Sequence, residues 1–247
     1  MTLTILSYNI KLGGAGREEF IAAVINAEAP DVVMLQEARR PDVVRRLADA
    51  TGMTAISAPG RSVACLSRVA IASHRYVRPL FSQHAFLEVT AQECGLRIIG
   101  VHLSAVHAAW TERRRVRELR SLLDATRSEA DAFHVMVGDF NTLAPDEKFD
   151  VSKLPYRLRV LVWLSGGRIR WQTIAIMLGA NYIDAFRKCD EVSPGYTFPT
   201  WDPHVRLDYV FVPKPFADRV LSCHVVGDSP DVKRASDHFP LRIDLRC

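Results

Sequence analysis

The chain contains no CxxC pair, no apolar run long enough to cross a bilayer, no internal repeat and no low-complexity linker. Each absence removes a class of protein. Its five cysteines (Cys65, Cys94, Cys189, Cys223 and Cys247) are irregularly spaced and lack zinc-type pairing with histidine, so they read as buried or reduced thiols. A disulfide framework is unneeded, because 247 residues can bury a sizeable core without one. The most apolar internal stretch, residues 158–164, is too short to span a membrane and carries Arg159. The N-terminal MTLTILSYNI has neither a basic start nor a long apolar centre, so no signal peptide is read and a cytoplasmic location is the expectation. Excess charge is small too. The 32 Lys and Arg against 28 Asp and Glu leave +4, which suits an anionic substrate without specifying nucleic acid. No obligate protein partner is evident.

What is present is an ordinary soluble profile, 48% hydrophobic and 24% charged, compatible with one domain over residues 1–247. Short apolar runs predict strands over 3–7, 32–35, 62–66, 69–73, 86–90, 96–103, 133–137, 207–212, 220–226 and 241–245. Helical periodicity predicts a helix over 18–28 with Phe20, Val24 and Ala27 on its inner face, stopped by Pro30. A second helix starts at Pro41 and turns Val43, Val44 and Leu47 inward. The longest, 111–129, carries Val116, Leu119 and Leu123 as its apolar stripe and arginines on the other face. Strands outnumber helices and occur both in pairs and separated by helices, which implies a layered α/β domain with mixed sheets.

Polar residues stand where these strands end: Asn9, Gln36-Glu37, His102 and Asp139-Phe140-Asn141. Strand ends lie at sheet edges, where loops carry chemistry, so these groups can converge on one pocket. Singly, each has a plainer reading as a turn residue, a cap or a core histidine. Asp208 is different, because it sits between Leu207 and the apolar run Tyr209-Val210-Phe211-Val212. A carboxylate there needs a partner, since an unpaired buried charge is very costly. The adjacent Arg206 is a poor partner. His238, which follows Ser236-Asp237 and precedes the last strand, is a better one, because a carboxylate behind an imidazole fixes its tautomer and raises its basicity.

Six segments in order, Ser7-Tyr8-Asn9-Ile10, Leu35-Gln36-Glu37, Val101-His102-Leu103, Gly138-Asp139-Phe140-Asn141, Arg206-Leu207-Asp208-Tyr209 and Ser236-Asp237-His238, resemble the endonuclease/exonuclease/phosphatase superfamily. That group includes deoxyribonuclease I-like nucleases, abasic-site endonucleases, neutral sphingomyelinases and inositol-polyphosphate phosphatases. The resemblance implies a four-layer α/β sandwich, two facing mixed β-sheets flanked by helices, with the site at one end of the sheets. It implies Glu37 as principal ligand of Mg²⁺ or Mn²⁺, helped by Asn9 and, through water, by Asp237. Asp139 would orient or deprotonate the attacking water. Asn141 would hold that water or a phosphate oxygen. His238, backed by Asp208, and His102 would stabilise the transition state, with Asn141, His102 and Arg206 contacting substrate. Oxygen donors without thiolates agree with a hard cation.

The implied activity is divalent-metal-dependent phosphodiester hydrolysis, on nucleic acid or a phospholipid headgroup. A phosphomonoesterase acting on a sugar or inositol phosphate is the alternative reading. A non-catalytic binding protein is less well supported, because every expected position holds a competent residue. The stretch 62–67 lacks the Tyr-Gly of abasic-site enzymes, which disfavours that activity. The strand before the His102 motif begins Gln83-His84-Ala85, leaving His102 without an assigned partner. Finally, a basic-aromatic insertion at about 150–180 carries Lys153, Arg157, Arg159, Arg168 and Arg170 with Trp163 and Trp171. It reads either as a polyanion or peripheral membrane contact through 153–171, or as amphipathic helices packing Leu158, Leu161, Val162, Ile174 and Leu178 into the core.

Overall fold

Strands with two apolar faces need cover on both sides, and this chain supplies it by packing two sheets face to face and helices outside them. The computed structural model describes all residues except 79–81, 83, 106–108, 127–131, 146, 148–149, 151, 153–155, 157–158, 161–162 and 164–170. The first sheet contains β1 (Thr2–Asn9), β2 (Val32–Gln36), β3 (Thr54–Ile56), β4 (Val63–Ser67), β11 (Val220–Val225) and β12 (Leu241–Arg246), in the spatial order β11-β12-β1-β2-β4-β3. The second contains β5 (Ile71–Val77), β6 (Phe86–Ala91), β7 (Arg97–His102), β8 (His134–Asp139), β9 (Tyr182–Asp184) and β10 (Asp208–Pro213), in the order β5-β6-β7-β8-β10-β9. Each sheet is mixed. β1 and β2 run parallel, as do β7 and β8, and the other neighbours are antiparallel.

Parallel neighbours require a crossover. Helix α1 (Glu18–Glu28) makes the first, and α3 (Ala109–Thr126) makes the second. Helix α2 (Pro41–Thr51) begins with proline at its first position and ends at Gly52, whose φ of 64° gives the left-handed cap. Shorter helices are α4 (Thr173–Gly179), α5 (Ala185–Cys189) and α6 (Pro230–Ala235). Helices α1, α2 and α6 bury Ile21, Val24, Ile25, Val43, Leu47 and Val232 against the outer face of the first sheet. Helices α3 and α4 bury Leu119, Leu122, Ile174 and Met177 against the second. The expected inner face of α1 is corrected in one respect: Ala27 is exposed, and Ile21 and Ile25 accompany Val24 instead.

The inter-sheet core fixes where chemistry can occur. Leu3 and Ile5 of β1, Ile98 of β7, Val135 and Val137 of β8, and Val210 and Val212 of β10 all face it. Strand side chains alternate with a period of two. Following that period along each strand brings Asn9, His102, Asp139 and Asp208 onto the same inward face at one end. Two glycines allow the close approach. A Cβ on Gly100 would come 2.4 Å from Met34 Cε of the facing sheet. Gly138, at φ +147°, lies so near β7 that a Cβ would meet the Val101 carbonyl oxygen at 1.9 Å.

Two short edge strands, β3 and β9, are absent from the sequence reading because three residues show no periodicity. The strand expected over 69–73 runs instead over Ile71–Val77 as a largely exposed edge. In the insertion, α4 packs Ile174 into the core while Leu178 is exposed, and Trp171 packs with Leu143, Val205 and Leu207. Trp163 is exposed, and Arg159 stacks over Tyr156. Lys153, Arg157, Leu158, Leu161, Val162, Arg168 and Arg170 lie outside the described residues. Among the described residues no helix is long and apolar enough to cross a membrane.

Gly138→Ala combines a forbidden backbone region with a clash against main chain that cannot move aside. We expect it to destabilise the protein by at least about 2 kcal/mol, lowering Tm by roughly 4–8 °C in a thermal melt. A variant melting with wild type would show that β7 and β8 can separate.

Candidate active site

Strand direction brings the polar ends together. β1, β2, β7 and β8 finish at the same end of the sandwich, and β10 and β12 begin there, as the pairs His102 with Asp139, Asp208 with Asp139, and Ser7 with Leu241 show. The turns leaving this end are backbone-strained. Lys11, Leu12, Glu37 and Asn141 all adopt positive φ, between 49° and 57°. Such conformations cost non-glycine residues energy and persist where the surroundings impose them.

Asp139 is the centre. Its Oδ1 accepts the Asn141 backbone N–H at 2.8 Å. Its Oδ2 accepts the side-chain amides of Asn9 at 2.9 Å and Asn141 at 3.0 Å. The Asn9 amide also points at Glu37 Oε1, 3.5 Å away, so donors from both sheets meet here. Glu37 is anchored in turn by the Leu12 N–H, and Asn141 also donates to the Leu103 carbonyl. Opposite stands His238, with Nδ1 2.9 Å from Asp208 Oδ2 and Nε2 4.0 Å from Asp139 Oδ2. Asp139, Asp208 and His238 offer ligand-type atoms that all lie within 4.8 Å of one another.

The electrostatics follow from burial and this crowding. Burial, then the charge of Asp208, push the Asp139 carboxyl up to about 7, while His238 and the amide donors restrain it. Burial disfavours a charged His238, but Asp208, Asp139 and Asp237 outweigh it and raise the imidazole to about 9. His102 is held well below its usual range by burial, then by the neighbouring His84, Arg39 and His238. One imidazole is therefore cationic at neutral pH and the other neutral. His84 stacks on His102 with ring centroids 4.7 Å apart and planes 16° from parallel. It is the neighbour that the sequence left unassigned.

Of the expected metal set, Glu37 and Asn9 adjoin each other, and Asp237, ion-paired to Lys11 at 3.1 Å, is linked toward Asn9 through the Ser236 hydroxyl. A divalent cation suits the donors present. They are carboxylate and amide oxygens without a thiolate, and Asp208 Oδ1 is buried with no protein partner.

Arg206 is tied up within the protein. Its side chain is buried, pairs with Asp184 at 2.6 Å and Glu147 at 2.7 Å, and stacks on Tyr209. Its single positive charge is already offset by two carboxylates, and the pair with Asp184 ties β9 to the start of β10.

Sequence reasoning also missed the braces behind the site. Glu112, at the start of α3, accepts from Thr142, from both N–H and hydroxyl of Thr173, and from Gln172 N–H. Fully buried Arg115 ties Glu112 to the Ser104 carbonyl. Glu118 binds Ser104 and Ser82, fixing the segments that flank His102 and His84. On the other side Arg17 donates to the carbonyls of Ile10, Lys11 and Ala235. Helical acids and arginines read as a solvated face in one dimension, and only the fold reveals which of them turn inward.

Beside Asp237 a cleft of about 400 Å³ is lined by Lys11, Arg17, Lys233, Arg234 and Trp201, with Lys11 Nζ 5.5 Å from the Trp201 ring.

Residues 6–238 match the Endonuclease/Exonuclease/phosphatase family. No curated protein matches the chain in sequence. Among solved structures, it is similar to the 3′ phosphatase NExo from Neisseria bound to a product DNA hairpin, at 18% identity and a TM-score of 0.79, over 99% of this chain and 100% of that one. It is also similar to an AP endonuclease from Archaeoglobus fulgidus, at 17% identity and a TM-score of 0.75, over 99% and 100% of the two chains. A third likeness is to D. rerio TDP2 complexed with single-strand DNA product, at 21% identity and a TM-score of 0.70, over 100% and 99%. At these identities the likenesses establish the fold, the four-layer sandwich of two mixed six-stranded sheets.

The paired titrations predict a pH profile. His238 binds its proton more tightly folded than unfolded, so its contribution is full below about 6.5 and is lost as pH rises through about 9. Asp139 has the same sign at lower pH, its raised carboxyl losing the folded-state advantage as pH climbs from 3.8 through about 7. The metal-free protein should therefore melt at falling temperature from pH 6.5 to pH 9.5. His238→Ala should flatten the upper part of that slope. An unchanged slope in the variant would show that other groups produce it.

Proposed function

Because the chain belongs to the endonuclease/exonuclease/phosphatase family of hydrolytic phosphoesterases, we propose that it is a divalent-metal-dependent phosphodiesterase acting on nucleic acid. The observation that carries this reading is the convergence on Asp139. A buried carboxylate held by Asn9 and Asn141 faces an imidazole that a second carboxylate, Asp208, keeps charged.

Phosphoester hydrolysis needs an oriented nucleophile, neutralisation of the phosphoryl oxygens and help for the leaving oxygen. Asp139 orients and deprotonates the water, since its carboxyl is fixed by three hydrogen bonds. Asn141 steadies a phosphate oxygen or that water from the same turn. His238, as imidazolium, lies across from Asp139 and compensates charge building on the phosphoryl group. His102, neutral and stacked on His84, would turn its ring toward an oxygen of the substrate. Glu37 with Asn9, and Asp237 through water, would hold Mg²⁺ or Mn²⁺, which supplies Lewis-acid neutralisation of the phosphate.

Nucleic acid is favoured over a phospholipid headgroup on two grounds. The similar structures of NExo and TDP2 are described with DNA products. The cleft beside Asp237 combines cations with an exposed Trp201, chemistry suited to a phosphate backbone and a stacked base. The description of NExo as a 3′ phosphatase supports a second reading, removal of a terminal phosphate from a nucleic acid. Nothing comparable supports a membrane contact.

Hydrolysis of a single-stranded oligonucleotide should require Mg²⁺ or Mn²⁺ and stop in excess EDTA. Asp139→Asn and His238→Ala should each lower kcat by at least about 100-fold while leaving a folded protein. Turnover in EDTA would overturn the metal dependence. Cleavage of sphingomyelin vesicles or inositol phosphates in preference to the oligonucleotide would overturn the substrate class.

A further inference from the structure

The opposite end of the sandwich carries a second reactive feature, unrelated to the hydrolytic centre. Cys94 lies in the turn between β6 and β7 of the second sheet, and Cys247 follows β12 of the first. Because β1 ends at Asn9 and pairs antiparallel with β12, Thr2 facing Arg246, Cys247 sits at the end away from Asn9. β7 likewise starts at that far end and finishes at His102, which places the Cys94 turn there too. The two sulfurs are 2.8 Å apart, with the Cys247 thiol donating to Cys94. Both side chains are half-buried against the inter-sheet core, so a small reagent can reach them.

We propose that Cys94 and Cys247 are a disulfide-forming pair that staples the two sheets together when the surroundings are oxidising. A disulfide holds its sulfurs at about 2.05 Å, so a displacement of under about 1 Å converts contact to bond. The oxidant is a low-molecular-weight disulfide of the glutathione type. The Cys94 sulfur, as thiolate, attacks one sulfur of that disulfide and releases one small thiol, giving a mixed disulfide. Cys247 then loses its proton, and its sulfur displaces the second small thiol. Two protein thiols are oxidised, one external disulfide is reduced, and two small thiols leave.

The order of attack follows from the environment. Burial, then the adjoining Cys94, push the Cys247 thiol up to about 12, so it resolves the mixed disulfide and does not initiate. Cys65 and Cys223 are poor competitors, buried inside the sheets with thiols raised by burial. Cys189, exposed on α5, is open to the same oxidant and would register separately as a mixed disulfide with one small thiol. The resulting covalent ring would join positions 153 apart in the chain, across the interface that the two sheets share. Cross-linking so long a loop removes much freedom from the unfolded chain.

The full chain is equilibrated in reduced or in oxidised glutathione, then acid-quenched, denatured and alkylated with N-ethylmaleimide for intact-mass and peptide analysis. Oxidation should protect Cys94 and Cys247 from alkylation and yield a single cross-linked peptide joining Cys94 to Cys247. It should also raise Tm by roughly 5–10 °C over the reduced protein. Cys94→Ser and Cys247→Ser should each abolish both changes while melting like the reduced wild type. Full alkylation after oxidation, or a cross-link mapped to Cys189, overturns the pairing. A Cys94–Cys247 bond that leaves Tm unmoved overturns the staple.

Discussion

A carboxylate sealed between two sheets must find its hydrogen bonds inside the protein, and Asp139 imposes that condition on everything around it. It is 1% exposed, faces the same side as Val135 and Val137, and lies near a second buried carboxylate at Asp208. Two such charges repel unless donors and a cation are arranged about them. Asn9 has to reach across from the first sheet, Asn141 has to bend back through a left-handed turn, and His238 has to stand against Asp208. Gly138 is a further consequence, because the strand can bring Asp139 into place only if its predecessor has no side chain. The reactive geometry is thus a solution to a burial problem, and the sheets that create the problem also fix the solution.

Support for the site is divided between the two helical layers. Glu112 collects donors from Thr142 and Thr173, while Glu118 pins the segments carrying His84 and His102. Burial works against the charge of Glu112, yet Arg115 and the N–H groups of Gln172 and Thr173 hold it below the usual carboxylate range. On the first sheet, Arg17 performs the comparable task for the turns after β1 and before β12. These are buried polar networks with many members, and their value lies in fixing one arrangement of loops that would otherwise have several.

The layered α/β class was legible because strand and helix periods differ and long segments display them clearly. Helix α2 is a good example, with Pro41 at its start and Val43, Val44 and Leu47 facing inward. Asp208 and His238 were legible because an acid inside an apolar run demands a partner. What stayed hidden is long-range. Nothing local distinguishes Arg206, committed to Asp184 and Glu147, from an arginine aimed at a phosphate. Nothing local marks Glu112 as buried, since its helix is rich in charge. β3 and β9 are three residues each, too short to express a period, and they exist because a neighbouring strand offers an edge.

The position of β12 bears on how the protein is made. It lies between β11 and β1, one strand in from the edge, so β11 has no neighbour in the first sheet until β12 enters. Its partner β1 is the first strand, which makes this pairing the most distant in sequence and slow to form on topological grounds. His238 lies three residues before the start of β12 and gains its place as that strand docks. The arrangement around Asp139 is therefore incomplete until β1 and β12 have paired. Forms in which β12 has yet to dock lack the imidazole that stands against Asp208 and faces Asp139.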